Sequence, residues 1–518
     1  MIIDEAFFGF SRTGSFKGRK YPAFLDWKAD IINEDSFSIL GEPFSESKKI
    51  KIESTEIKLR ESENILMIEE ADSIIQRPKN FVRILMEVHK INRFHKLIYT
   101  PLTGDPYLFP VLTLLGISLQ DNFISYMDGV DKVEYRHTGR MKRDNASVDT
   151  NSFFLKNLSE DIQTSIKNYT LFDIVEKINL SSKAVEMLRI LVNDLQKDYE
   201  LVFPRRTQGI RAVSNISLLR PDILRFQDYI SHYYVKPEGR TIVLFIPCSA
   251  RKPYSESKSH RRLIEALSDL RGFIHEVIIT SPLGLVPREI EETYPAAFYD
   301  VPVTGRWSSE EKEMLFNVAN NYLGRNKYEK SFALLTDDYL FSEEYFPEGT
   351  EIIKWDKSNE GSLMQLRNKI GEYVTEYRPP RVKDSIREKI FAICEYQFGS
   401  WIIPYINKGK IIKNYNQFMI AVDGKPALIY QEDKGKMAIN KNFTKPFIDN
   451  SKFLVEIDDF KPTANIYSVG VISATSDIRI EDEVVLHNSG NPKGVGTAKM
   501  PYVAMIELEK GIAVKVRN

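Results

Sequence analysis

Residues 247–260, PCSARKPYSESKSH, gather a thiol (Cys248), hydroxyls that include Ser249, Tyr254 and Ser257, cations that include Arg251 and Lys252, and an imidazole (His260) in one short segment. Cations beside a thiol lower its pKa below the free value of about 8.5 and enlarge the nucleophilic thiolate fraction. The chain has 2 cysteines, Cys248 and Cys394, too far apart in sequence to suggest a disulfide framework and too few for a cysteine-rich zinc site. Nucleophilic and acid–base chemistry is what this segment offers. A lone cysteine at a strand end also fits a small buried packing residue, and a histidine at a helix start also fits a cap. The density of polar neighbours favours a reactive thiol, because a packing cysteine needs none of them.

The elements around the segment must hold it at an edge where a substrate can reach it. TIVLFIP precedes it, and the strands HEVIITSP, SFALLTD and EIIKW follow, separated by helical patterns near 259–270 and 308–322 and closed by SLMQLRNKIGEYV. This alternation predicts a parallel, Rossmann-like α/β sheet covered by helices. Ligands of such sheets bind outside the carboxyl ends of the strands. Three polar loops are expected there. The first is the Cys248 loop. The second, TSPLGLVPREIEETYPAAFYDVPVTGRW, is stiffened by Pro282, Pro287, Pro295 and Pro302 and carries Gly284, Gly305, Glu289, Asp300, Tyr294 and Trp307. The third, DDYLFSEEY, opens with Asp337.

The 518 residues exceed one ordinary domain. Residues 1–235 show a β/α rhythm in which several segments lack a clear strand. A full (β/α)8 barrel takes about 250 residues, so a degenerate TIM-barrel-like domain is expected, ended by the linker VKPEGR. The α/β domain spans 236–380, up to Pro379 and Pro380. A small α+β domain (381–450) and a β-rich module (451–518) complete an α/β multidomain chain. Net charge is −1, which excludes a uniformly basic nucleic-acid coat but leaves room for a local patch. Lys493, Lys499, Lys510, Lys515 and Arg517 form such a candidate RNA-binding patch, the alternative being a solvated face. The amino terminus lacks signal-peptide order, and no apolar run reaches the roughly 20 residues needed to span a bilayer, so a cytoplasmic protein without membrane partners is expected. There is no GxxxxGK loop for ATP. Neither a cofactor nor a metal is expected.

PCSARKPYSESKSH resembles the proline-cysteine, Lys-Pro-Tyr, serine, histidine signature of archaeosine synthases, matching at Pro247, Cys248, Lys252, Pro253, Tyr254, Ser257 and His260. The second loop is similar to that family too. VGVISATSDIRIEDEVVLHN and GVGTAKMPYVAMIELEKGIAVKV resemble a PUA domain, a tRNA-binding module, and GDPYLFPVLTLLGISLQDN resembles part of a tRNA-guanine transglycosylase-like barrel. The resemblance implies that free lysine adds through its ε-amine to the nitrile of 7-cyano-7-deazaguanine in the D-loop of tRNA. The product is an amidine, on which a radical SAM partner enzyme then acts. Cys248 is the expected covalent nucleophile and His260 the proton carrier. One of Glu289, Asp300 or Asp337 would handle the amine, and Lys252 would hold a phosphate or the lysine carboxylate. Ser249, Tyr254, Ser257, Gly284, Gly305 and Trp307 are expected to bind substrate. Two alternatives stay open: a base-exchanging transglycosylase, which would need a carboxylate nucleophile in an intact barrel, and a non-catalytic tRNA-binding protein. The oligomeric state is open as well, a homodimer included.

Overall fold

The computed structural model describes residues 1–33, 37–52, 55–177, 181–302, 305–383, 385–414 and 417–517. The chain divides into two compact units, one of Met1–Gln208 with Phe447–Asn518 and one of Gly209–Pro446.

In the second unit, β1 (Ile242–Pro247) is buried on both faces, as a continuous apolar run in a helix-covered parallel sheet must be. It lies at the centre of a five-stranded sheet with β2 (Ile274–Thr280), β3 (Gly284–Pro287), β4 (Lys330–Leu335) and β5 (Glu351–Lys354), in the order β3-β2-β1-β4-β5. β2, β1, β4 and β5 run parallel, and β3 is an antiparallel edge. The helices are α1 (Pro221–His232), α2 (Lys258–Ala266), α3 (Ser309–Arg325) and α4 (Gly361–Tyr377). Their apolar stripes, including Phe226, Leu263, Leu315 and Leu366, join the strand side chains in one core. Ser257 starts α2 by accepting a hydrogen bond from the His260 amide at 3.3 Å, and Ser308 with Glu311 forms a capping box at α3.

The unit is larger than the sequence predicts at both ends. It starts at Gly209 and not at 236, because Ile210–Arg211 pairs with Tyr299–Asp300 and α1 buries Ile223, Phe226 and Ile230 in the sheet core. Residues 381–446 also belong to it. Here α5 (Ser385–Phe398) accompanies an antiparallel sheet of Lys410–Asn414, Gln417–Val422, Lys425–Gln431 and Lys436–Ile439. Arg240 pairs with Glu388, and the Tyr396 hydroxyl donates to the Tyr294 carbonyl at 2.9 Å, so the double proline is no break in packing.

In the first unit, the expected barrel is replaced by an open six-stranded mixed sheet. Ala23–Leu25, Leu119–Asp121, Leu97–Thr100 and Ile65–Ile68 run parallel, and Thr55–Glu61 and Lys48–Ile52 add antiparallel strands. The physical reason is local: beyond residue 142 the segment is helical (Val148–Lys167, Leu171–Lys177, Ser182–Asn193) and supplies no strand to this sheet among the described residues. The carboxyl-terminal module is a six-stranded sheet with helix Tyr502–Glu507. Phe7 and Phe94 from the amino-terminal segment enter its core beside Val484, Leu486 and Met505. Among the described residues no helix is long and apolar enough to cross a membrane.

Candidate active site

Cys248 leaves β1 with its amide still donating to the Ile279 carbonyl at 3.0 Å, so the sheet fixes the backbone of the thiol-bearing residue. Its side chain is half-buried, with Sγ 3.1 Å from the hydroxyl of Tyr339. Tyr339 lies in the 3-10 turn Asp337–Tyr345 that leaves β4, the strand beside β1. The Trp307 ring stands edge-on to Tyr339, with centroids 5.3 Å apart, and packs on Phe341. Gly305 sits at φ 67°, where a Cβ would come to 3.4 Å from an Asp338 carboxylate oxygen. Cys248, Tyr339, Trp307, Gly305 and Asp338, with Ser281, Arg306 and Glu311, line a small open cleft of about 40 Å³. Val303 and Thr304 of the same loop lie outside the described residues.

Lys252 flanks the thiol. Its ammonium sits 3.9 Å over the Tyr299 ring. Burial lowers its pKa, while Cys248 and Asp300, both within electrostatic reach, act to hold the proton on. Below it, the Tyr254 hydroxyl hydrogen-bonds that of Tyr299 at 2.7 Å, and Tyr299 also bonds Thr280. Tyr254 is fully buried, which makes it a floor under Lys252 and takes it out of the expected substrate contacts. Ser249 closes a local turn onto the Arg251 carbonyl at 3.0 Å, and Ser257 is the cap of α2.

The structure corrects the expectation for His260. It is fully buried, and both ring nitrogens are engaged: Arg288 donates to Nδ1 at 2.9 Å, which leaves the proton on Nε2 to donate to the Pro247 carbonyl at 3.0 Å. Burial, with the Arg288 guanidinium alongside, pushes its pKa down to about 3. A histidine so held braces the turn before Cys248 and does not carry protons to the cleft. Arg288 in turn pairs with Glu276 at 2.7 Å and Glu291 at 2.8 Å, and Glu291 accepts from the Ser255 amide. Burial opposes charge on Glu276, yet Arg288 and Arg271 outweigh it and hold that carboxyl down at about 2.

Two of the three candidate carboxylates also lie elsewhere. Glu289 is buried against His275 and Tyr234. Burial works against its charge, but these partners keep its pKa below the usual value. His275 pairs in register with Val243, four residues before Pro247 and so about 13 Å along the strand from the Cys248 end. Asp337 is exposed and pairs with Lys354 at 2.6 Å. Asp300 alone stays with Lys252. Gly284, at φ 80°, lets β3 approach Val318 of α3, a packing role and not a substrate contact. Sequence reasoning passed over Tyr339, Asp338 and Arg306. Tyr339 and Asp338 belong to the third loop, and the signal that singles them out is the sheet order that sets β4 against β1.

The candidate RNA patch is partly neutralised. Lys493 pairs with Asp459 at 2.5 Å, Lys499 with Glu481, and Arg517 with the buried Glu483. The acids precede Lys493 in sequence and return to it through strand pairing. Lys515 is exposed and Lys510 half-buried, and neither has an ion pair among the described residues.

A thiol cleft on the carboxyl edge of an α/β sheet, carried in one chain with a PUA module, is the build of an RNA-modifying protein. A family model described as a domain of unknown function (DUF5591) matches residues 223–370, and the PUA domain model matches 459–518. The chain is 45% identical to archaeosine synthase subunit alpha of Thermoplasma acidophilum, over 100% of both chains. It is 27% identical to archaeosine synthase of Methanocaldococcus jannaschii, over 88% of this chain and 80% of that one. It is 24% identical to the tRNA-guanine(15) transglycosylase of Methanobrevibacter smithii, over 69% of this chain and 52% of that one. The chain belongs to the archaeosine synthase subunit alpha family, which places it in archaeosine biosynthesis.

Proposed function

We propose that the chain joins the ε-amine of free lysine to the nitrile carbon of 7-cyano-7-deazaguanine in the D-loop of tRNA, giving an amidine. The observation that carries this reading is the half-exposed thiol of Cys248 at the mouth of the cleft, with the Lys252 ammonium in electrostatic reach. The relatives' names support the pathway. A nitrile is a weak electrophile. Addition of the Cys248 thiol across it gives a thioimidate, whose carbon a primary amine attacks more readily. The amine then forms the C–N bond as the C–S bond breaks, and the thiol is regenerated. The net reaction adds an amine to a nitrile with nothing lost, so it needs neither ATP nor an oxidant.

Lys252 places a positive charge within electrostatic reach of the sulfur. Asp300, the remaining carboxylate beside Lys252, takes the proton that the lysine amine must lose, since a free amine of pKa about 10.4 arrives charged. The base lies across the cleft opening against Trp307 while its nitrile enters. The PUA module holds the tRNA. The relatives' designation as subunit alpha fits a second subunit, which in this reading is the radical SAM enzyme that consumes the adduct.

The test is incubation with nitrile-bearing tRNA and isotopically labelled lysine without ATP, followed by digestion and mass measurement of the nucleosides. The reading expects one base heavier by a whole lysine. A product that forms only with ATP overturns it. Free base released without lysine would favour base exchange instead.

A further inference from the structure

We propose that Tyr339 is a further catalytic residue whose hydroxyl relays the Cys248 proton to the nitrile nitrogen as the C–S bond forms. This deepens the reading above and rests on Cys248 as the nucleophile. The Tyr339 hydroxyl lies 3.1 Å from Sγ and lines the same cleft. The residue is only 6% exposed, and a phenol buried that deeply ordinarily finds a strong hydrogen-bond partner. Tyr254 and Tyr299 do so with each other. For Tyr339, the hydroxyl's hydrogen-bond partner among the described residues is a thiol, a weak donor and a weak acceptor. That leaves the oxygen with capacity for a third group, and the free direction is the cleft.

The turn that presents it is rigid. The Tyr339 amide donates to the Thr336 carbonyl at 2.9 Å, Ser342 donates to the Tyr339 carbonyl at 2.7 Å, and Thr336 bonds Asp338. Trp307 closes the ring's edge. Of the other candidate proton carriers, His260 is closed on both nitrogens and Glu289 is remote. The carboxylates that line the cleft accept bonds already, Glu311 from Ser281 and the Ser308 amide and Asp338 from Thr336.

The step balances. The sulfur lone pair forms the C–S bond, one nitrile π pair moves to nitrogen, the thiol proton passes to the Tyr339 oxygen, and the phenolic proton passes to nitrogen. A neutral thioimidate N–H and a neutral phenol result. Burial first, then the neighbouring Cys248, raise the phenol's pKa well above its ordinary value, so it enters the step as a neutral phenol, its oxygen taking up the thiol proton as its own proton leaves. The nitrogen anion that would otherwise form is a stronger base than phenolate, so the transfer runs downhill. When the amine displaces sulfur, the same hydroxyl returns a proton to the thiolate and receives one from the amine.

The experiment withholds lysine and follows the covalent tRNA–protein adduct in Tyr339→Phe, Cys248→Ala and the parent, alongside iodoacetamide alkylation of Cys248. Tyr339→Phe should form adduct about 100-fold more slowly while alkylation stays within a few fold and tRNA binding is unchanged. Adduct formation at the parent rate overturns the proposal. So does a loss of alkylation equal to the loss of adduct, which would make Tyr339 a support for the thiol. Lysine transfer at the parent rate in Cys248→Ala would instead overturn the nucleophile reading itself. Should the Phe variant fail to fold, fluorotyrosine placed at 339 keeps the shape and changes the acidity of the phenol. An adduct rate that follows that acidity supports the relay, and a rate indifferent to it overturns the relay.

Discussion

Cys248 and Cys394 are the same side chain in opposite surroundings. Cys394 is fully buried in α5, and burial alone pushes its thiol pKa far up, whereas Cys248 is half-exposed beside a cation. A brief pulse of iodoacetamide on the folded protein should therefore label one thiol, and Cys248→Ala should abolish that label. The same variant should lose at least a hundredfold in amidine formation with tRNA binding intact; near-parent turnover would return Cys248 to a packing role. His260 makes a different prediction. Its folded pKa of about 3 lies below the ordinary 6.5, so the unfolded chain takes up the proton first. The stability this histidine contributes is complete above pH 6.5 and is lost as pH falls toward 3, at about 1.4 kcal/mol per unit. Urea unfolding of the central unit between pH 6.5 and 5 should show that slope, flattened in His260→Gln; an equal slope in both would assign the acid sensitivity to other groups. The sequence could place Cys248, Lys252 and His260 in one segment, but not the direction of each side chain. Cys248 follows a strand that delivers it to the edge, and His260 sits in the first turn of a helix that folds it back under the strand.

The alternation of strands and helices in the central unit was legible because apolar runs of strand length are bounded there by proline, glycine and serine. Ser257 and Ser308 mark helix starts at the positions the hydrophobic pattern requires. What alternation does not reveal is neighbourhood. That β4 lies beside β1 is a property of sheet order, and so the thiol's approach to the loop after β4 is invisible in the linear chain although both loops are polar. The barrel expectation failed for the same reason in reverse: a β/α rhythm counts elements but does not say whether the sheet closes. Gly284 tests the element scale. It lets β3 turn back on β2 at φ 80°, and a Cβ there would sit 3.0 Å from Val318. Gly284→Ala combines a left-handed backbone with crowding and should cost about 1 to 3 kcal/mol, read as a lower urea midpoint for the central unit with the first unit unmoved. An unchanged midpoint would mean that α3 can step back freely.

At the scale of the whole chain, the carboxyl-terminal module is not an appendage. Phe7 and Phe94 complete its core, Arg205 pairs with Asp482, and Arg479 pairs with Glu200. Its composition reads as an independent β-rich tail, but the residues that finish its interior come from the far end of the sequence, where no local pattern announces them. Deleting residues 452–518 would expose those aromatics and remove the acid from Arg205 and the guanidinium from Glu200, so loss of tRNA binding in such a truncation would report on folding and not on recognition. Point substitutions test recognition cleanly. Lys493, Lys499 and Arg517 have acidic partners, whereas Lys510 and Lys515 have no ion pair among the described residues. If the module meets the tRNA backbone through these two, Lys510→Gln with Lys515→Gln should weaken binding and reduce the slope of log affinity against log salt by about 0.7 to 0.9 for each phosphate left without its lysine. The paired Lys493→Gln should change the slope by less, because a phosphate there would have to compete with Asp459. An unchanged slope in the double variant would exclude both lysines from the interface and turn the search to the basic hairpin Val133–Arg136 and Gly139–Lys142 of the amino-terminal segment, where Arg136 and Arg140 each stand about half exposed.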